Sequence, residues 1–120
     1  MNKNMFINLS NHPSSCWCEK QLTAAQVYGD IVDIAFPNID SDTPADAISA
    51  LADQYAERIM QYNATAVHVM GEMTFTYALV RRLRSKGITC LASTTQRIKQ
   101  QQADGSFISE FRFQTFRPYE

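Results

Sequence analysis

The chain has 120 residues, 11 Lys and Arg against 12 Asp and Glu, and a formal net charge of −1. That length suits one domain with one core and leaves no room for separate catalytic and regulatory units. The charge balance excludes the basic excess of a protein that grips long duplex nucleic acid, while leaving room for a compact anion held locally.

Met5 to Leu9 reads as a first strand. It is far too short for a signal-peptide core, and no stretch of the chain approaches a membrane span. Cys16 and Cys18 stand too close to bridge comfortably, and Cys90 falls in an apolar run, so reduced thiols and the cytoplasm are expected. Glu19 to Tyr28 reads as a short helix with Leu22 and Ala25 inward, and Ile31 to Phe36 as a second strand. Thr43-Pro44-Ala45-Asp46 is a helix start in which Thr43 caps, Pro44 takes the first helical position and Asp46 meets the dipole. The helix it opens places Ile48, Leu51, Ala52, Tyr55 and Ile59 on one face.

Thr65 to Met70 reads as a third strand and Glu72 to Lys86 as a third helix, with Phe75, Ala78, Leu79 and Leu83 inward and Gly87 as terminator. Ile88 to Ala92 is apolar enough for a central strand. Asp104-Gly105 then marks a two-residue hairpin between Gln96 to Gln102 and Phe107 to Phe116. The alternation predicts an α/β, Rossmann-like domain over residues 1–120. Its expected sheet is mainly parallel with five strands in the order 2-1-3-4-5, the last antiparallel, and helices flank it.

In such a sheet ligands bind beyond the carboxyl ends of the strands. Ser10-Asn11-His12, Gly71-Glu72-Met73-Thr74 and Ser93-Thr94-Thr95-Gln96-Arg97 stand at three of those ends. His12 can move a proton near neutrality, and Ser93, Thr94 and Thr95 offer hydroxyls to a phosphate or ribose. Gly71 allows close backbone approach to the following helix N-terminus, although Glu72 competes with a bound anion for the same amides. A two-residue turn sets Arg97 opposite Arg112, a pair that holds a phosphate or is balanced on a solvated face by Glu110. Trp17 either packs under its loop or stacks on a base. His68, inside an apolar strand, reads as a satisfied core residue. Cys16, Cys18 and His12 lack a fourth ligand at zinc spacing, so no metal and no cofactor are expected. No G-x-G-x-x-G or G-x-x-x-x-G-K-[ST] run is present.

Phe6-Ile7-Asn8-Leu9-Ser10-Asn11-His12, the Gly71-Glu72 turn backed by Phe75 and Leu79, Ala92-Ser93-Thr94-Thr95-Gln96-Arg97 and the ending Phe116-Arg117-Pro118-Tyr119 together resemble a family of small, stand-alone CRISPR-associated proteins related to CARF domains. The resemblance covers most of the chain except Pro37 to Asn63. Thr115 departs from it, standing where another basic residue is usual. It implies a homodimer of type III CRISPR defence that binds a cyclic oligoadenylate, with cyclic tetra-adenylate the first choice. Its implied activity is that of a ring nuclease, a phosphodiesterase leaving a 2′,3′-cyclic phosphate.

Ribose carries its own nucleophile, so a protein that holds the 2′-hydroxyl in line needs no metal. Ser10, His12 and Arg97 are the candidate catalytic residues, and Asn11, Gly71, Glu72, Thr74, Ser93, Thr94, Thr95 and Arg112 the candidate ligand contacts. A non-catalytic sensor or sponge, or an interaction module without nucleotide, is the alternative.

Overall fold

The computed structural model describes residues 3–120. Five strands form one sheet in the order β2-β1-β3-β4-β5, with β1 (Met5–Ser10), β2 (Asp30–Asp33), β3 (Ala64–Met70), β4 (Thr89–Gln101) and β5 (Phe107–Pro118). The first three pairings are parallel and β4 with β5 is antiparallel, as the alternation of strand and helix predicts. The helices are α1 (Glu19–Gln26), α2 (Ala45–Met60) and α3 (Met73–Ser85).

Alternate side chains of β1 and β3 go to opposite faces, which divides the core in two. Ile7, Leu9, Val67, Val69 and Cys90 pack against α2 and α3 through Ile48, Ala52, Ile59, Phe75, Leu79 and Leu83. Phe6, Ala66 and Leu91 form a smaller core on the other face with Ala25 of α1 and Phe113 and Phe116 of β5. α1 has 8 residues, so it reaches only about 12 Å. Two long helices pack on one face, while the other carries only the short α1 and a smaller core. This asymmetry makes the cavity described below.

Several boundaries differ from the sequence reading. β2 ends at Asp33 rather than Phe36, because the chain then leaves the sheet and the Phe36 ring packs edge-on against Phe75 at 5.3 Å. α2 is capped by Pro44 rather than Thr43, since the Pro44 carbonyl already accepts the amide of Ile48. β4 is one strand where two segments were expected.

β4 pairs with β3 only through Leu91, so its second half and most of β5 form a two-stranded ribbon. The turn at its tip is longer than the expected two residues. The Gln102 amide bonds the Ser106 carbonyl, and only Gly105 takes a left-handed φ, +89°, with Asp104 outside that region. A two-residue type I′ turn needs positive φ at both central positions, and Asp there is costlier than Gly. The extra loop residue moves the register by one. Arg97 therefore faces Phe111 and Arg112 faces Gln96, and the expected Arg97–Arg112 opposition does not form.

Candidate functional site

A cavity of about 940 Å³ opens at the carboxyl ends of β1 and β3 and beside the middle of β4, on the face that carries α1. Its walls are the Ser10-to-Cys18 segment, the start of α1 and the base of the β4–β5 ribbon. Of the candidate residues, Ser10, Asn11, His12, Gly71, Ser93, Thr95 and Arg112 line it. Trp17, Lys20 and His68 line it as well.

The floor is a polar network inside an otherwise apolar sheet. Asn8 and His68 are cross-strand partners in the parallel β1–β3 pair, both essentially buried, and the Asn8 Oδ1 lies 2.9 Å from His68 Nδ1. The Ser10 hydroxyl donates to the same Oδ1 at 2.8 Å. On its other side the Asn8 amide donates to Asp33 Oδ1 and to the His12 carbonyl, each at 2.9 Å. Asp33 also accepts the amide and hydroxyl of Ser14. Burial alone would raise the Asp33 carboxyl, but the hydrogen bonds from Asn8 and Ser14 outweigh it and hold the group below its ordinary value.

His68 is the residue whose role the sequence reading missed. It sits among Phe6, Trp17 and Phe116, with ring centroids 6.4, 5.7 and 5.2 Å away. This aromatic surround, with His12 nearby, pushes the imidazole down to about 4, so it is neutral at pH 7. Its Nε2 has no partner within the protein. Leaving a buried polar atom unpaired costs about 1–3 kcal/mol, and this one belongs to a cavity-lining residue. It is therefore not a satisfied core histidine. The available signal was a pair of polar residues, Asn8 and His68, each set between apolar neighbours inside a buried strand.

Other candidates hold different positions. The Ser10 hydroxyl is spent on Asn8 and the His12 segment, so it supports the floor and is no free nucleophile. Glu72 caps α3, its carboxylate accepting the amides of Thr74 and Phe75 and the Thr74 hydroxyl. Those bonds, the Thr74 hydroxyl foremost, lower the Glu72 carboxyl. The helix N-terminus, for whose amides Glu72 and a ligand anion compete, is thus filled by the chain's own carboxylate. Thr94 exchanges hydrogen bonds with the Thr115 backbone at a bulge in the β4–β5 ladder, and Arg97 bonds the Ser109 hydroxyl. None of Glu72, Thr74, Thr94 and Arg97 lines the cavity. Arg112 does, and it pairs with Glu110 at 3.2 Å. Trp17 packs on His68 and donates its indole N–H to the His12 carbonyl, so it is part of the wall.

Gly71 has a packing reason to be glycine. A Cβ there would run into the ring of Phe36. Gly71→Ala is expected to destabilise the fold by about 1–3 kcal/mol through overpacking, read as a lower urea midpoint; an unchanged midpoint would show that Phe36 moves aside freely.

Among the described residues no three His, Cys, Asp or Glu side chains gather as a metal site, and Cys16, Cys18 and Cys90 are all free thiols. No helix among these residues is long and apolar enough to cross a membrane. A family model matches residues 4–117, nearly the whole chain. The chain belongs to the uncharacterized protein MJ1673 family. A comparison with curated proteins returns no match. The family description names no activity, so the chemistry of this MJ1673-family protein rests on the cavity itself.

Proposed function

We propose that this cavity binds a cyclic oligoadenylate, with cyclic tetra-adenylate the first choice, and that the protein opens the ring by phosphodiester cleavage as a ring nuclease of type III CRISPR defence. The observation that carries the reading is a neutral imidazole with a buried, unpartnered Nε2, on a residue that lines a cavity large enough for a nucleotide. The resemblance to CARF-related proteins described above supports the choice of ligand.

The chemistry follows from the two imidazoles on the cavity wall. A ribose 2′-hydroxyl placed at His68 Nε2 gives up its proton as its oxygen attacks the adjacent phosphorus. The P–O5′ bond breaks as the new P–O2′ bond forms, leaving a 2′,3′-cyclic phosphate. His12, exposed on the cavity wall, is the group we assign to protonate the departing 5′-oxygen. Lys20 supplies positive charge at the same opening, where Arg112 stands paired with Glu110. Because the nucleophile belongs to the substrate, the reaction asks for no metal. A two-fold dimer would supply the set twice to a ligand of matching symmetry, and the cytoplasm is where such a signal acts.

The test is incubation of the pure protein with cyclic tri-, tetra- and hexa-adenylate in EDTA, with chromatography of the products and light scattering of the same samples. A linear product ending in a 2′,3′-cyclic phosphate, from a dimer, is expected. A ring retained but unchanged would make the protein a sponge or sensor; no retention of any ring would overturn the nucleotide reading.

A further inference from the structure

The hydrogen bonds under the cavity determine which nitrogen of His68 carries its proton. Asp33 Oδ1 and the His12 carbonyl can only accept, and both lie 2.9 Å from Asn8 Nδ2, so the amino side of the Asn8 amide must face them. Its Oδ1 then faces His68 and can only accept, which puts the single proton of the neutral ring on Nδ1. Nε2 is left with a bare lone pair. Asp33 does not touch the imidazole, yet together with the His12 carbonyl it sets the imidazole's tautomer through one intervening amide. The same amide also anchors the His12 carbonyl, to which the Trp17 indole donates as well, so wall and floor share one support.

We infer that Asn8 and Asp33 are positioning residues that keep His68 Nε2 an open hydrogen-bond acceptor, and that the cavity floor consequently takes a ligand group arriving with its own proton, an alcohol or an amine, and rejects an anion. The inference rests on the cavity being the binding site proposed above and adds where the ligand's parts lie. A phosphate oxygen at the floor would meet the imidazole lone pair head on, and the α3 amides that could have received it are occupied by Glu72. The phosphates belong at the rim, where Lys20 and Arg112 stand, with a ribose hydroxyl or an adenine amine at the floor.

Nitrogen-15 NMR of the histidine rings tests this without turnover. In the wild-type protein at pH 7, His68 is expected to show a protonated Nδ1 and a bare Nε2. Asp33→Ala, at an exposed position of the edge strand β2, should leave the protein folded and turn this into a mixture of tautomers. Adenosine, a probe with hydroxyls and an amine but no phosphate, should shift the His68 Nε2 resonance; inorganic phosphate at equal ionic strength should not. A wild-type ring protonated on Nε2, or an Asp33→Ala protein with an unchanged tautomer, would overturn the positioning role. A His68 Nε2 that responds to phosphate, or fails to respond to adenosine, would overturn the ligand assignment. The tautomer arm stands even if no ring is cleaved, so its failure and that of the nuclease reading are told apart.

Discussion

His68→Gln is expected to slow opening of cyclic tetra-adenylate by roughly 10²-fold or more, the usual size of a general-base contribution, while the protein stays folded and retains the ring. Glutamine fills much of the imidazole's volume and keeps a polar end toward the cavity, so the loss isolates proton transfer from packing. The pH profile gives the sharper reading. The base must be unprotonated, and burial has pushed His68 down to about 4, so the wild-type rate should hold on acidification well past 6.5 and fall only near 4. In His68→Gln that limb should disappear. Single-turnover rates across this range decide it: a variant at the wild-type rate would move the base elsewhere, with His12 the remaining imidazole on the cavity wall.

The second large effect is on stability and needs no ligand. An imidazole titrates near 6.5 in an unfolded chain, whereas His68 in the fold is pushed down to about 4 by burial and by the neighbouring His12. Between those values the unfolded chain binds a proton that the native state refuses. The contribution of His68 is therefore intact above about pH 6.5 and is lost progressively as pH falls toward 4. At about 1.4 kcal/mol per pH unit the loss amounts to about 3 kcal/mol, a large part of a small domain's margin. Asp33 and Glu72, held low by hydrogen bonds, lose their contributions only at lower pH, as their own carboxylates protonate. Urea unfolding at pH 7 and pH 4.5 should show the wild-type protein losing more stability than His68→Gln over that interval. Parallel behaviour of the two proteins would show that His68 takes up its proton in the native state without penalty.

Much of the fold was legible in the chain because hydrophobic period and local turn chemistry are local properties. Met5 to Leu9 and Thr65 to Met70 announce strands, Phe75 to Leu83 a helix with one buried stripe, and Asp104-Gly105 a reversal; topology rules then leave few arrangements, of which the observed order is one. The loops at His12 and Gly71 were placed at a common crevice on the same grounds, and both line the cavity.

The sequence by itself determined the class, the strand order and the edge of the sheet at which a cavity would open. Tertiary structure alone decided which polar groups meet there. Asn8 and His68 are 60 residues apart and touch only because β1 and β3 are in parallel register. A one-residue slip would have sent His68 to the opposite face, and period carries no information about register. The arginines show the same principle in the other direction. Their expected opposition depended on the length of one turn, and a single left-handed Gly105 lengthened it, setting Arg97 beside Phe111. Glu72 was read from local chemistry as both cap and competitor for the α3 amides, and the folded chain resolved that in favour of the cap because the carboxylate reaches two of them without leaving its own turn.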